Sequence, residues 1–348
     1  MTTLFETYLP IVQSLNDYGG NFTAHQISQP VLDAIDSGAA AGDTSLTVFR
    51  ATLLDTIAKW KGLQDHQTFS AFFETFSEAV FYLVAARRGV PLRSVPAGSK
   101  HGKTPDFATA DPPDIGFEVK TIDVADPART YDHTMAEGLD AKLEALASAG
   151  VGGVGFAARS IAPHGTAKDR REAVEQVMKK IDGNVKFDQY TSFPTFLVVS
   201  LVRTALHDRS DNLKRRLSMF NCPTPTSGQL FAVAAHPIGD EFYYYPERPD
   251  RVFFPSGGED AVSLGPLQRN GLLLDHPFIA GIIFLQTEWS KSGLPNALDE
   301  AYRLNGIWNL AWERSSAFSS EAASAAKQLF ERLCHSYNDT DDTRSSLL

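Results

Sequence analysis

Cysteine is nearly missing. The two that occur in 348 residues, Cys222 and Cys334, stand far apart and in no CxxC spacing, which excludes a disulfide framework and a cysteine-built zinc site and fits a reducing compartment. The nine histidines form neither HExxH nor an HxH pair, so a zinc hydrolase has no support. No GxSxG elbow is present for a serine hydrolase. The first twelve residues, MTTLFETYLPIV, carry a Glu and no cationic region, so no signal peptide is expected. The longest apolar runs, such as PFIAGIIFLQ, are about half a membrane span. A cytoplasmic protein without a transmembrane helix is the expectation. Cations are scarce too: 32 Lys and Arg against 42 Asp and Glu leave a formal charge of −10. A surface that grips nucleic acid is normally basic, so any nucleic-acid reading must rest on a local patch.

What remains is ordinary in bulk. Hydrophobic residues make up 43% and charged residues 21%, near the averages of globular proteins. The length implies one elaborated α/β domain or two smaller units. Residues 1–66 read as a helical region: TLFETYLPIVQSL, QPVLDAIDSG and SLTVFRATLLDTIAKW have apolar residues at helical spacing between Gly-rich breaks. Residues 67–290 read as the core with insertions, and 291–348 as closing helices with a disordered polar tail.

The best-defined helix runs from about Thr68 to Arg88, with Phe69, Phe72, Phe73, Phe76, Val80, Leu83 and Val84 on one stripe and Gly89 as its stop. Glu78 sits opposite the stripe. Phe81, Tyr82 and Ala85 flank it, so its carboxylate is expected to be partly enclosed. Short extended runs follow: VPLRSVPA, TPDFAT and DIGFEVKTIDV. Then come a helix in LDAKLEALASAG, an amphipathic helix in REAVEQVMKKI and a buried strand in FPTFLVVSLV. GQLFAVAAHPI and PFIAGIIFLQ are expected to be further strands. The stretch from Pro237 to Leu272 reads as loop or hairpin.

Chemistry concentrates in TPDFATADPPDIGFEVKT. On a strand, Glu118 and Lys120 project from one face while Ile115, Phe117, Val119 and Thr121 project from the other. For Asp106 to join that face in an antiparallel pair, the turn must be centred on Pro112 or Pro113. Proline cannot donate to a ladder, so it suits a turn there. Two carboxylates on adjacent strands offer hard oxygen ligands to Mg²⁺. A compact ammonium beside them is suited to orienting water or offsetting charge.

Pro105-Asp106 followed by Glu118-Val119-Lys120, with eleven residues between the acids, resembles the PD-(D/E)xK nuclease superfamily with its restriction-endonuclease-like fold. Glu78, eleven residues before Gly89, is similar to the helix acid and glycine that open the core in archaeal junction resolvases and Mrr-like enzymes. The resemblance spans about Thr68 to Arg203 and implies an αβββαβ core with a mixed central sheet. It implies that Asp106, Glu118, Glu78 and the carbonyl of Val119 hold Mg²⁺, with Mn²⁺ as a substitute, and that Lys120 is catalytic. Glu74, one turn earlier, is the substitute should the helix phase differ. Lys100, His101 and Lys103, just before Asp106, are the candidate nucleic-acid contacts; Lys214, Arg215 and Arg216 form a second basic cluster.

The activity so implied is a Mg²⁺-dependent DNA endonuclease of restriction or phage-defence type, with a C2 homodimer for double-strand cutting. The alternatives are a repair or junction-resolving nuclease, and a non-catalytic nuclease-fold subunit that meets a protein partner in a defence complex. GVGGVG, from Gly150 to Gly155, fits GxGxxG by letter but follows a helix instead of a strand, so a dinucleotide site is set aside. The four tryptophans and the run Tyr243 to Tyr245 read as packing residues.

Overall fold

The computed structural model describes residues 2–16, 27–61, 65–96, 104–122, 140–148, 170–202, 233–235, 237–244, 262–287, 298–315 and 317–336. Lys100, His101, Lys103, the cluster 214–216, the segment 150–155, Cys222, Tyr245 and the tail from 337 lie outside them. The chain is mixed α/β. Helices α1 (Leu4–Asn16), α2 (Gln29–Ala40) and α3 (Thr44–Lys59) precede α4 (His66–Arg87). After β1 (Leu92–Ser94), β2 (Phe107–Thr109) and β3 (Gly116–Thr121) come α5 over 140–148, α6 (Arg170–Asp182), a 3-10 turn (Phe187–Tyr190) and β4 (Thr195–Ser200). The remainder holds α7 over 233–235, the hairpin β5 (Glu241–Tyr244) and β6 (Val262–Pro266), α8 (Leu272–Asp275) and β7 (Gly281–Thr287). It ends with α9 (Leu298–Ala301), β8 (Tyr302–Trp308), α10 (Leu310–Ser315), α11 (Ser320–Leu333) and β9 (His335–Ser336).

Seven strands form one sheet in the order β1-β2-β3-β4-β7-β8-β9. β1, β2 and β3 run antiparallel; β3, β4 and β7 are parallel; β8 returns antiparallel to β7. From α4 to β4 the described residues run helix, three strands, two helices, a 3-10 turn and a strand, within a sheet of mixed polarity.

Helix α4 forms where the phenylalanine stripe lies. The Asp65 carboxylate accepts from the N–H of Thr68 at 3.1 Å and caps its start. Gly89, at φ 73°, ends it in the left-handed conformation that glycine tolerates. Phe73, Phe76, Ala79, Val80 and Phe81 are wholly buried, so both flanks of the helix are covered. Among the described residues, its span Gln67–Arg87 is the one stretch long and apolar enough to cross a membrane, and 56% of that window is buried inside the protein.

The sheet separates two apolar layers. Phe117, Val119, Phe196, Val198 and Ile283 face α4, the N-terminal helices and α11. Leu197, Val199, Ile282 and Phe284 face α6, α7 and α8. Val198 and Val199 have neighbouring numbers and opposite layers, as the period of two requires. Every residue of β4 is buried, which is why the run from Phe196 to Val199 is apolar on both faces, with polar Thr195 and Ser200 only at its ends.

Two expectations change. Residues 233–235, in the run expected to be a strand, are helical. A short apolar run does not distinguish a buried strand from a buried helix, and here Val233 and Ala234 close the α6 layer. β8 falls in the segment expected to hold helices and a tail. It pairs with β7 over seven residues, so residues beyond 290 supply a strand of the main sheet.

Candidate active site

β2 accompanies β3 for only two registered pairs, Phe107 with Phe117 and Ala108 with Gly116. This register centres the turn on Pro112 and sets Asp106 opposite Glu118. Thr109 Oγ1 closes the turn, donating to the Pro113 carbonyl at 2.8 Å and accepting from the N–H of Ile115 at 3.1 Å. Past Phe117, the edge of β3 that faces away from β4 has lost its partner strand. Its exposed N–H at Val119 goes to the Asp106 carboxylate, at 2.7 Å. A buried amide left alone would cost about 1–3 kcal/mol, so Asp106 is held by the same gap that it fills.

On the other side β3 runs parallel to β4, with Glu118 beside Leu197 and Lys120 beside Val199. The Glu118 side chain is 1% exposed and the Lys120 side chain 25%. One Glu118 oxygen, Oε1, accepts from Lys120 Nζ and from Gln189 Nε2. The other, Oε2, is buried without a partner.

Glu78 arrives from the opposite layer. Ser200 Oγ, at the carboxyl end of β4, donates to Ser77 Oγ at 2.8 Å, and both residues are fully buried. That bond fixes α4 on the sheet one residue before Glu78. Glu74, a turn earlier, is exposed, whereas Glu78 is half-buried. Of the two helix acids, Glu78 is the more enclosed, and the charges of Asp106, Lys120 and Glu118 act on its carboxyl.

The electrostatics agree with this convergence. Burial pushes the Glu78 carboxyl up to about 8, and the charges of Asp106, Glu74 and Glu118 add to it against Lys120. Burial also raises Asp106, opposed by the Val119 N–H and by Lys120. Glu118 is raised by burial and then by Asp106, opposed by Lys120 and Gln189. Burial raises all three carboxyls in the same sense, opposed by the one ammonium of Lys120, and added positive charge beside them is favoured. The residues fit a hard divalent ion by donor chemistry and by the orphaned Glu118 oxygen. Among the described residues no three His, Cys, Asp or Glu close into a ready-made metal cage.

Gln189 and Tyr190 were not singled out by the sequence reading. They sit 7% and 2% exposed in the 3-10 turn before β4, and the charges of Glu118 and Asp106 add to burial in raising the Tyr190 phenol. No periodicity marks them, because a 3-10 turn has no face that recurs. A groove of about 290 Å³ between Pro112, Pro113, Val90, Leu329 and Arg332 lies at the opposite, turn end of β2 and β3. Neither Asp106 nor Glu118 lines that groove: Glu118 is the third of six residues of β3, with Asp106 opposite it. Compared with known proteins, the chain matches no family model, no curated protein and no solved structure.

Proposed function

We propose that the chain is a cytoplasmic, divalent-metal-dependent DNA endonuclease of the PD-(D/E)xK type. The observation that supports the reading is that Asp106 bonds the Val119 N–H and Lys120 bonds Glu118 along β3, with one Glu118 oxygen buried and unpaired and Glu78 within electrostatic reach. Asp106, Glu118 and Glu78, with the Val119 carbonyl, would hold Mg²⁺ or Mn²⁺. Bound there, the ion supplies Lewis acidity toward water and phosphate.

The chain's own residues do the rest. Asp106 keeps its carboxylate on the Val119 N–H, so its second oxygen is presented in a fixed direction. Lys120, part-exposed and tethered to Glu118, is free to swing its ammonium toward a scissile phosphate once a cation takes over the Glu118 charge. There it orients water or offsets the growing negative charge. A duplex needs two such sites, so a C2 homodimer follows for double-strand cutting.

Plasmid DNA incubated with and without Mg²⁺ tests the reading. Wild type should nick or linearise it only with the ion, while Asp106→Ala and Lys120→Ala, folded by circular dichroism, should lose at least about a thousandfold in rate, on the order of two lost charge-stabilising contacts. Cleavage that persists in both variants refutes the assignment. Metal binding without cleavage of plasmid, single-stranded or branched DNA would favour the non-catalytic subunit.

A further inference from the structure

Among the described residues, five buried side-chain nitrogen or oxygen atoms have no hydrogen-bond partner: Ser28 Oγ, Glu118 Oε2, Arg171 Nε, Gln189 Oε1 and Tyr190 Oη. Three of the five belong to one cluster. Gln189 Nε2 donates to Glu118 Oε1, so the amide oxygen of Gln189 and the free oxygen of Glu118 are the two remaining atoms of a joined carboxamide and carboxylate pair. The Tyr190 hydroxyl is within electrostatic reach of Glu118 and Asp106. Each such orphan costs about 1–3 kcal/mol. Two on one bonded pair, with a third on the adjoining residue of the same turn, mark a place built for something polar.

The turn that carries them is tightly held. Gln189 N–H donates to the Lys186 carbonyl at 3.0 Å, and Thr191 Oγ1 donates to the Asp188 carbonyl at 3.0 Å. The Tyr190 ring packs on Phe278 with centroids 5.4 Å apart, and Phe278 packs on Phe187 at 5.0 Å. The Tyr190 ring is thus held by packing and the Gln189 amide by its bond to Glu118. A role limited to bonding Glu118 would use the Gln189 N–H alone and would leave three oxygens unexplained.

We propose that Gln189 and Tyr190 belong to the metal site: Gln189 fixes the orientation of Glu118, and its Oε1, with Glu118 Oε2 and the Tyr190 hydroxyl, forms an oxygen pocket for a hydrated divalent cation. Two acceptors and a hydroxyl suit an ion that keeps part of its water, as Mg²⁺ does. The groups that orient a ligating carboxylate typically matter about tenfold to a hundredfold in affinity. The inference rests on the metal-dependent reading of Asp106 and Glu118.

Calorimetric and electron-paramagnetic titration of the full chain with Mn²⁺ tests it, using Gln189→Leu and the near-isosteric Tyr190→Phe. Gln189→Leu should bind Mn²⁺ about tenfold or more weakly and Tyr190→Phe more weakly than wild type. Tyr190→Phe should melt in EDTA at or above the wild-type temperature, since it removes only an unpaired buried hydroxyl, whereas Gln189→Leu also loses its bond to Glu118 and should melt lower. Wild-type affinity in both variants, with binding abolished in Glu118→Ala, overturns the inference and leaves the site standing. Gln189-dependent Mn²⁺ binding without any nucleolytic activity supports it and sinks the nuclease reading instead. A wild-type chain that binds no Mn²⁺ overturns both.

Discussion

Glu118 and Lys120 are two residues apart on a strand, and that spacing alone puts them on one face. The same spacing says nothing of what else arrives there. Glu78 comes from a helix on the other side of the sheet, and its carboxyl is pushed up to about 8. An acid whose folded pKa lies above its unfolded value binds more protons when folded. Its stabilising contribution is complete below about 4.5 and is lost as pH rises toward 8. Metal-free wild type should therefore lose stability across that window, by an amount on the order of a few kcal/mol. Glu78→Gln, which cannot ionise, should melt close to wild type at pH 5 and several degrees above it at pH 8.5. Asp106 and Glu118, raised in the same sense, leave the variant's curve flatter than wild type but not level. Parallel melting curves in EDTA would contradict this account.

At the scale of elements, the site depends on how closely β3 and β4 approach and on where α4 rests. A Cβ on Gly116 would stand 2.5 Å from Thr195 Oγ1 and 2.6 Å from the Phe193 ring, so the glycine is required by close approach, not by backbone angle. Gly116→Ala should cost about 1–3 kcal/mol in urea unfolding, with an unchanged m-value. A shift below 0.5 kcal/mol would show that the ring yields. Ser77→Ala removes the bond that docks α4 on the carboxyl end of β4. About 1 kcal/mol of stability should go with it, and Mn²⁺ affinity should fall because Glu78 is the next residue. Undiminished affinity would mean that packing of Phe76 and Val80 alone sets the helix.

The elements themselves were unevenly legible. The helix α4, a turn at Pro112 or Pro113 and the strands β2, β3, β4 and β7 follow from stripe, alternation and proline chemistry, which act over a few residues; the register chose Pro112. The helical 233–235 and the strand β8 did not follow. Val233 and Ala234 are apolar in either conformation, and which one forms depends on the α6 layer above them. In β8, Asn305 is buried because its side-chain amide meets Gln286 of β7, so a polar letter there conceals a core strand until the pairing is known.

For the whole molecule, one aromatic column joins the middle stretch of the sequence to the last. Phe196 stacks on Phe117 at 5.7 Å and on Phe330 at 5.6 Å, and meets Trp308 at 5.9 Å. The first core also takes in Tyr8, Leu32 and Leu53 from the N-terminal helices. Phe196→Ala should cost about 3–5 kcal/mol, lowering the single melting transition instead of splitting it. A chain ended at residue 290 would strip β8 from β7 and leave Ile282, Ile283, Phe284 and Leu285 on an open edge. It should aggregate on expression; a soluble, folded product would show that the terminal segment is dispensable.

The sequence by itself determined the local facts: which residues are helical along α4, which face of β3 bears Glu118 and Lys120, and where the β2–β3 turn must bend. Those rest on backbone periods of 3.6 and 2 and on proline geometry, which neighbours in the chain decide. Only the tertiary structure decided that Asp106 fills the hydrogen-bond gap left by β2, that Glu78 is enclosed where Glu74 is exposed, and that Gln189 bonds Glu118 from 71 residues away. Burial, and the low dielectric that couples charges across it, exists only once the layers have closed.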